Sequence, residues 1–228
     1  MIVLSHSDAG LRFQASVHVE CHSPILVQGS GPGKGTADQI FFQRKGLAAI
    51  PGSSLRGAWR HALERLLRQL GEPVCNPPHP DSMCPHEDIG LPRGEFCMAC
   101  SVFGSPWIAS RLVITDLYAL QEEPKSEEWL RYGVGVNRVT GTVSPGKLFV
   151  VQVPYARRFE GSIRGELTMP QLGLLLAAVR LVTHLGSGRA RGLGRVSLTV
   201  THLRDGKGSP LQWSQEHFIA EALKGVGV

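Results

Sequence analysis

Two amphipathic helical segments, each lying between β-type segments, constrain the fold of this chain more than any other feature of its sequence. Apolar residues recur at helical spacing after residues 51–55, where Ser53 or Ser54 can act as the N-cap. They recur again after Pro170, a residue that the first turn of a helix tolerates well. Over residues 11–20 apolar and polar residues alternate instead, which is typical of a half-buried strand.

The order of these segments predicts the topology. The chain has the order strand, helix, strand and then again strand, helix, strand. This order predicts an α+β fold with a ferredoxin-like, RNA-recognition-motif-type β-α-β-β-α-β core. We expect a single domain over residues 1–228, with insertions at about residues 72–104 and about residues 121–147. Further elements are predicted as short strands at residues 40–42 and 47–50, strands at residues 111–120, 162–168 and 195–203, a turn at residues 144–146 between two β-rich runs, and a short helix at residues 217–223.

Composition excludes several classes of protein. The chain has 228 residues, of which 42% are hydrophobic, so it can bury a core and is not globally disordered. No run approaches the roughly 18 apolar residues of a membrane-spanning helix, and the first residues lack the pattern of a secretory leader. We therefore expect a cytoplasmic protein with no membrane partner. The net charge of +5 weakly favours an anionic partner.

Four of the five cysteines lie in one segment that is rich in proline and histidine and has no helical or strand period. They are Cys75, Cys84, Cys97 and Cys100. The last two form a C-x2-C pair, which is a normal zinc half-site. In a reducing compartment a metal explains such a cluster better than disulfides do. Four sulfur ligands leave no open coordination position, so we predict a structural zinc site, with His79 or His86 as alternatives to the first two cysteines.

Glycine-flanked arginines are candidates for binding phosphate. In the loop of residues 186–194, Arg189 and Arg191 follow Gly188 and alternate with small residues. Glycine lets the backbone approach a ligand closely, and arginine offers two parallel donors to a phosphate. The alternative is a flexible connection whose arginines are solvated. The first helix adds candidates, because the N–H groups at a helix start favour anions. Those candidates are Ser53, Ser54, Arg56 and Arg60.

Asp38 follows a glycine-rich loop at residues 28–35. A lone aspartate in a loop is usually a turn or capping residue. Near bound RNA, its carboxylate can also hold a divalent ion or orient an attacking ribose hydroxyl. The residues alone leave both roles open.

Four motifs carry a resemblance to a known family. They are Ile-Pro-Gly-Ser-Ser-Leu-Arg-Gly at residues 50–57, Cys-x2-Cys-x2-Phe-Gly-Ser at 97–105, Gly-Val-Asn-Arg-x-Thr-Gly at 135–141, and the loop of residues 186–194. Together, and in this order, they resemble the RAMP superfamily of CRISPR-associated proteins, and most of all the backbone subunit of type III effector complexes. The resemblance extends over about residues 13–201.

The resemblance implies an RNA-binding subunit that stacks with other copies of itself and other effector subunits along the guide CRISPR RNA. A β-hairpin thumb, here about residues 129–147 with Arg138 as an RNA contact, would kink the duplex of guide and target RNA. Asp38 matches the aspartate that type III subunits need to cut target RNA, with a divalent metal such as magnesium. The resemblance therefore implies an endoribonuclease within the complex. The alternatives are a non-catalytic RNA-binding scaffold and a guide-processing ribonuclease, for which no suitably placed histidine is found.

Overall fold

The computed structural model describes residues 10–29, 37–85, 90–92, 94–120, 129–154, 156–211 and 214–225. Nine strands and four α-helices lie within these ranges. The strands are β1 (Leu11–Cys21), β2 (Gln43–Arg44), β3 (Leu47–Ile50), β4 (Leu112–Ile114), β5 (Leu117–Ala119), β6 (Trp129–Val136), β7 (Val143–Val153), β8 (Arg158–Leu167) and β9 (Val196–Asp205). The helices are α1 (Gly52–Gln69), α2 (Met98–Phe103), α3 (Met169–Val179) and α4 (Gln215–Gly225).

The main sheet has the strand order β2-β3-β5-β8-β1-β9, and β4 pairs with β8 beside β5. All of its pairings are antiparallel, with Val17 of β1 opposite Gly161 of β8 and Val200 of β9. The first strand, β1, thus lies between the third and fourth core strands, β8 and β9, and α1 and α3 provide the two crossovers. This is the split β-α-β arrangement, and it confirms the predicted α+β, ferredoxin-like class. The β6–β7 pair forms a separate two-stranded sheet, here called the hairpin.

The core lies on one face of the main sheet. Phe13, Ala15, Val17 and Val19 are at most 5% exposed, as their alternation predicts, and they join the apolar face of α1 and the leucines of α3 in one cluster. Trp59 of α1 is fully buried, and its indole Nε1 donates to the Leu175 carbonyl oxygen at 2.9 Å. Because the indole N–H has a hydrogen-bond acceptor, burying the Trp59 ring leaves no unpaired donor to offset the stabilisation from its apolar surface. The same bond holds α1 and α3 in one orientation.

The start of α1 differs from the prediction. Pro51 is the N-cap residue and makes no side-chain cap, so neither Ser53 nor Ser54 caps the helix. Instead, the Gly52 backbone N–H donates to Asp116 Oδ1 at 2.9 Å. Gly52 suits this position, because a Cβ there would collide with the Ile114 carbonyl oxygen.

Three strand boundaries also differ from the prediction. The expected turn at residues 144–146 lies inside β7, and the hairpin turns at residues 137–142, where the Asn137 N–H donates to the Thr142 carbonyl at 2.9 Å. The Asn137 side chain also accepts the Val139 N–H, and such Asx geometry outweighs the Pro-Gly signal. Residues 40–42 form only an isolated bridge at Phe41, and residues 111–120 form two short strands rather than one. Within the described ranges, no helix is both long and apolar enough to cross a membrane.

Candidate metal centre and hairpin surface

The four cysteines of the Pro- and His-rich segment meet in space. Their Sγ atoms all lie within 4.8 Å of one another, and each residue is at most 2% exposed. Cys75 and Cys84 come from the loop after α1, Cys97 is the N-cap of α2, and Cys100 lies one turn into that helix. The C-x2-C spacing at a helix start therefore turns two sulfurs toward the loop that supplies the other two.

The geometry fits a tetrahedral metal site. The Cys75 and Cys100 Sγ atoms are 3.5 Å apart, and those of Cys97 and Cys75 are 3.7 Å apart. Four sulfurs at about 2.3 Å from a zinc ion lie about 3.8 Å from one another. Soft sulfur donors on all four sides can hold a metal ion such as zinc and leave it no open position. His79 is exposed and outside the cluster, and His86 lies outside the described residues.

The thiols already share protons unequally. Hydrogen bonding from Cys100 lowers the pKa of Cys97 to about 5, whereas burial raises the pKa of Cys84 to about 12. Cys97 therefore loses its proton more readily than Cys84. Binding of a divalent ion would deprotonate the others and release protons.

The predicted RNA contacts on α1 lie beside the metal centre. Arg60 donates from Nε to Glu64 Oε1 at 2.8 Å, from Nη1 to the Gly104 carbonyl at 2.7 Å and from Nη2 to Cys100 Sγ at 3.3 Å. Burial disfavours the Arg60 cation, but the hydrogen bond to Glu64 and the attraction of Cys100 outweigh it, so its pKa is raised. These bonds tie α1 to α2.

Arg56, one turn earlier, is held in a similar way. Its Nη1 and Nη2 donate to the carbonyl oxygens of Phe103 at 3.2 Å and Leu112 at 2.7 Å. Apart from Glu64, which lies one turn along α1, the partners of Arg56 and Arg60 are 40 or more residues away along the chain, so helical periodicity gave no signal for them.

The start of α1 already has an anionic partner. Asp116, which the sequence analysis did not single out, accepts the Gly52 N–H and forms an ion pair with Arg44. Ser53 is exposed and Ser54 is half-buried. A phosphate approaching the helix start therefore meets a carboxylate that already uses the first N–H group.

The hairpin exposes apolar side chains along its length. Opposed residues in its register share a face, so Val134 and Leu148 lie side by side next to Tyr132. These three side chains are 51%, 61% and 64% exposed. An apolar and aromatic strip of this kind is typical of a surface that contacts a partner.

The glycine–arginine loop meets the base of the hairpin. Arg189–Arg191 form a short 3-10 turn, and Gly188 and Gly192 on either side have φ angles of +75° and +78°, which glycine adopts without strain. The Arg191 guanidinium lies 5.1 Å from the centroid of the Phe149 ring, and Arg131 Nη2 donates to the Arg191 carbonyl at 3.1 Å.

This junction contains two residues that the sequence analysis missed, Arg131 and Phe149. In the sequence they are visible as a basic and an aromatic residue on adjacent β-type runs. Their contacts with the glycine–arginine loop join residues that are far apart along the chain, so no local pattern predicts those contacts. Arg138, predicted as a contact, lies exposed in the hairpin turn.

Asp38 lies at the base of the same hairpin. Its backbone N–H donates to the Val150 carbonyl at 2.9 Å, and its carboxylate Oδ2 accepts the Val150 N–H at 2.7 Å. The Gln152 N–H donates to the Gln39 carbonyl at 2.8 Å. The backbones of Asp38 and Gln39 therefore both pair with β7. Residues 30–36, the rest of the glycine-rich loop, lie outside the described ranges.

Comparison with known proteins gives one positive finding. The family model of the RAMP superfamily matches residues 18–197, a span that contains the cysteine cluster, the hairpin and the glycine–arginine loop. No curated protein matches the chain significantly. Because the model covers most of the chain, the match is not confined to one motif. The chain therefore belongs to the RAMP superfamily, whose members bind CRISPR RNA and work with other effector subunits.

Proposed function

We propose that this protein is a guide-RNA-binding backbone subunit of a cytoplasmic type III CRISPR effector complex, in which it cleaves complementary target RNA. The chain acts in this proposal as one domain, with the cysteine segment and the hairpin as its two insertions. The observation that carries the proposal is the junction of Asp38 with the hairpin, because it joins a carboxylate to a projecting apolar element.

The hairpin has the properties of a wedge between base pairs. Its strip of Tyr132, Val134 and Leu148 is exposed, and aromatic and apolar side chains stack on unpaired bases without regard to sequence. A kink at the hairpin would leave a target nucleotide next to the hairpin base. Two hydrogen bonds to Val150 hold Asp38 at that base.

The proposed reaction needs little from the protein beyond geometry and charge. A ribose 2′-oxygen attacks the adjacent phosphorus, the bond from phosphorus to the 5′-oxygen breaks, the 2′-hydroxyl loses its proton and the 5′-oxygen gains one. The products are a 2′,3′-cyclic phosphate and a 5′-hydroxyl. A kinked strand aligns the attacking and leaving oxygens. Asp38, together with RNA phosphates, would hold a magnesium ion that supplies charge stabilisation, since magnesium commonly uses one or two carboxylates plus phosphates.

The cysteine cluster serves this function as a structural zinc site. It closes the segment between α1 and α2, in which the described residues form little regular structure beyond a 3-10 turn at Pro80–Ser82, and its ion would replace apolar burial there. The α1 arginines that were predicted as RNA contacts hold the same region together. The proposed guide-binding surface therefore centres on Arg189 and Arg191, with Arg131 and Arg138 of the hairpin beside them.

We expect the double change Arg189→Ala and Arg191→Ala to weaken binding of guide RNA by at least about tenfold, because charged hydrogen bonds to phosphate are among the strong ones. The loss should be similar for unrelated guide sequences, since phosphates carry no sequence information. The slope of log affinity against log salt should fall by about 1.4, at about 0.7 for each lost contact with single-stranded RNA. Fluorescence anisotropy over a salt series measures both quantities.

The matched control removes the same charge far from this loop. Arg12 lies near the start of β1 and Arg204 near the end of β9, which are the ends of these two strands that are remote from the glycine–arginine loop. Each is roughly 25–30 Å from that loop, at about 3.3 Å per residue along the strand. Their double alanine variant should keep the parent affinity and salt slope. Equal losses in both double variants would mean that net charge, not the glycine–arginine loop, binds the guide.

A second candidate is a scaffold that binds guide RNA and does not cut. One observation favours it: the backbone N–H of Val150 already binds one Asp38 oxygen, as in a structural aspartate. In the deciding experiment, the complex is isolated through a tag on this chain and its guide RNA is sequenced. Labelled RNA complementary to that guide is then added, first in the presence of magnesium and then in the presence of a chelator. Regularly spaced cuts ending in 2′,3′-cyclic phosphate support cleavage, whereas intact RNA supports the scaffold.

A further inference from the structure

Arg60 lies where α1 passes the four cysteines, and its side chain is 23% exposed. All three nitrogens of its guanidinium have partners: Nε on Glu64, Nη1 on the Gly104 carbonyl and Nη2 on Cys100 Sγ. A planar guanidinium held at three points cannot turn, so the donor aimed at the sulfur has a fixed direction.

The partners that hold Arg60 are themselves fixed. Glu64 is 7% exposed and lies one helical turn along α1. Gly104 ends α2 with a φ angle of +87°, and a Cβ at this residue would lie 2.8 Å from the Ser110 nitrogen. The Gly104 carbonyl is thus positioned by a backbone turn that only glycine fits. The guanidinium is therefore placed by the fold and not by the sulfur alone.

A buried metal–thiolate centre needs such a donor. Four thiolates around a divalent ion carry a net charge of −2, and burying charge is costly unless hydrogen bonds compensate it. Arg68 also reaches this loop, but its Nη2 donates to the Cys75 carbonyl oxygen at 3.3 Å and not to a sulfur. Arg60 is thus placed to act on a ligand atom itself.

We propose that Arg60 is a positioning residue of the metal centre, whose hydrogen bond to the Cys100 sulfur orients that ligand and tightens the hold on the ion. The proposal rests on the cysteine cluster holding zinc and is independent of RNA cleavage. It also gives Arg60 a different role from the RNA contact expected from its place on α1. Partners of metal ligands typically change affinity by 10–100-fold when they are removed.

The test compares Arg60→Met with a matched control, Arg56→Met. Both changes remove one α1 guanidinium that donates to backbone carbonyls, but only the Arg60 guanidinium reaches a sulfur. Zinc affinity is measured on the full chain by competition with a chromophoric chelator. We expect Arg60→Met to weaken zinc binding about 10–100-fold and Arg56→Met to leave it near the parent value. With cobalt(II) in place of zinc, the sulfur-to-cobalt absorption should shift only in Arg60→Met.

A lysine variant keeps the test valid if the methionine variant fails to fold. Arg60→Lys retains the charge, but one ammonium cannot serve three fixed partners, so zinc binding should weaken to an intermediate degree. Parent-like zinc affinity in the folded Arg60 variants, or equal losses in the Arg56 and Arg60 variants, would overturn the proposal. A parent protein that binds no zinc would remove the metal centre itself, without bearing on RNA cleavage. Guide RNA affinity of zinc-loaded Arg60→Met should equal that of the parent, and a loss with full zinc retention would return Arg60 to the RNA surface.

Discussion

The variant Asp38→Asn is expected to slow target RNA cleavage by the assembled complex by about 10²–10³-fold, while target affinity stays within about twofold. Asparagine keeps an oxygen that can accept the Val150 N–H, so the base of the hairpin should remain in place. Only the negative charge is lost, and with it the ability to hold a divalent ion. Single-turnover cleavage of labelled complementary RNA in magnesium measures the rate, and a filter-binding assay measures target affinity.

Two further variants separate charge from structure. Asp38→Ala removes the acceptor as well as the charge and should slow cutting at least as much as Asp38→Asn. Asp205 is the matched control, because its carboxylate accepts the N–H groups of Lys207 and Ser209 in a turn at the end of β9. The Asp205→Asn complex should cut at the parent rate.

The pattern across these variants decides between the two candidate functions. Loss of cutting in both Asp38 variants supports a catalytic carboxylate. An active Asp38→Asn complex with an inactive Asp38→Ala complex would make Asp38 a structural support of the hairpin. Parent-like cutting by both would exclude Asp38 from the site altogether.

Removal of zinc is expected to have the largest effect on stability. Cys97→Ser exchanges a soft thiolate for a poor ligand inside a cluster that is almost fully buried. We expect a loss of about 3–5 kcal/mol in the free energy of unfolding, because breaking a buried charged centre leaves groups uncompensated. This corresponds to a fall of roughly 6–20 °C in Tm for a chain of this size. Thermal scans by circular dichroism, together with metal analysis, check both points.

The matched control for this change is Cys21→Ser. Of the five cysteines, Cys21 lies outside the cluster, and it is the last residue of β1. Its serine variant should keep one zinc per chain and a Tm close to that of the parent. A parent chain that is folded and stable without metal, or a Cys97→Ser variant that retains full zinc and full stability, would contradict the structural zinc site.

Much of the architecture was predictable because its signals are local. The alternation around Val17 and the helical period around Trp59 each come from contacts between a regular element and one buried face. The C-x2-C pair at Cys97 and Cys100 was predictable for a similar reason, since two thiolates at that spacing can share one ion. The turn of the hairpin was misplaced, because Pro-Gly at residues 145–146 is a turn signal only when no stronger side-chain turn competes, and Asn137 provides one.

By itself, the sequence determined the β-α-β-β-α-β order, the buried face of each long element and the Cys97–Cys100 half of the metal cluster, since periodicity and ligand spacing act over a few residues. The tertiary structure placed Cys75 and Cys84, and not His79, with that pair. Only the tertiary structure decided where the charged side chains act. Arg60 is bound to Cys100 of α2, 40 residues away, Asp116 binds the start of α1, and Asp38 pairs with a hairpin residue 112 positions further along. Such partners are set by the packing of the sheet and its insertions. A long or loop-borne polar side chain has no period of its own, so its role depends on which buried donor or acceptor the fold brings within about 3 Å of it.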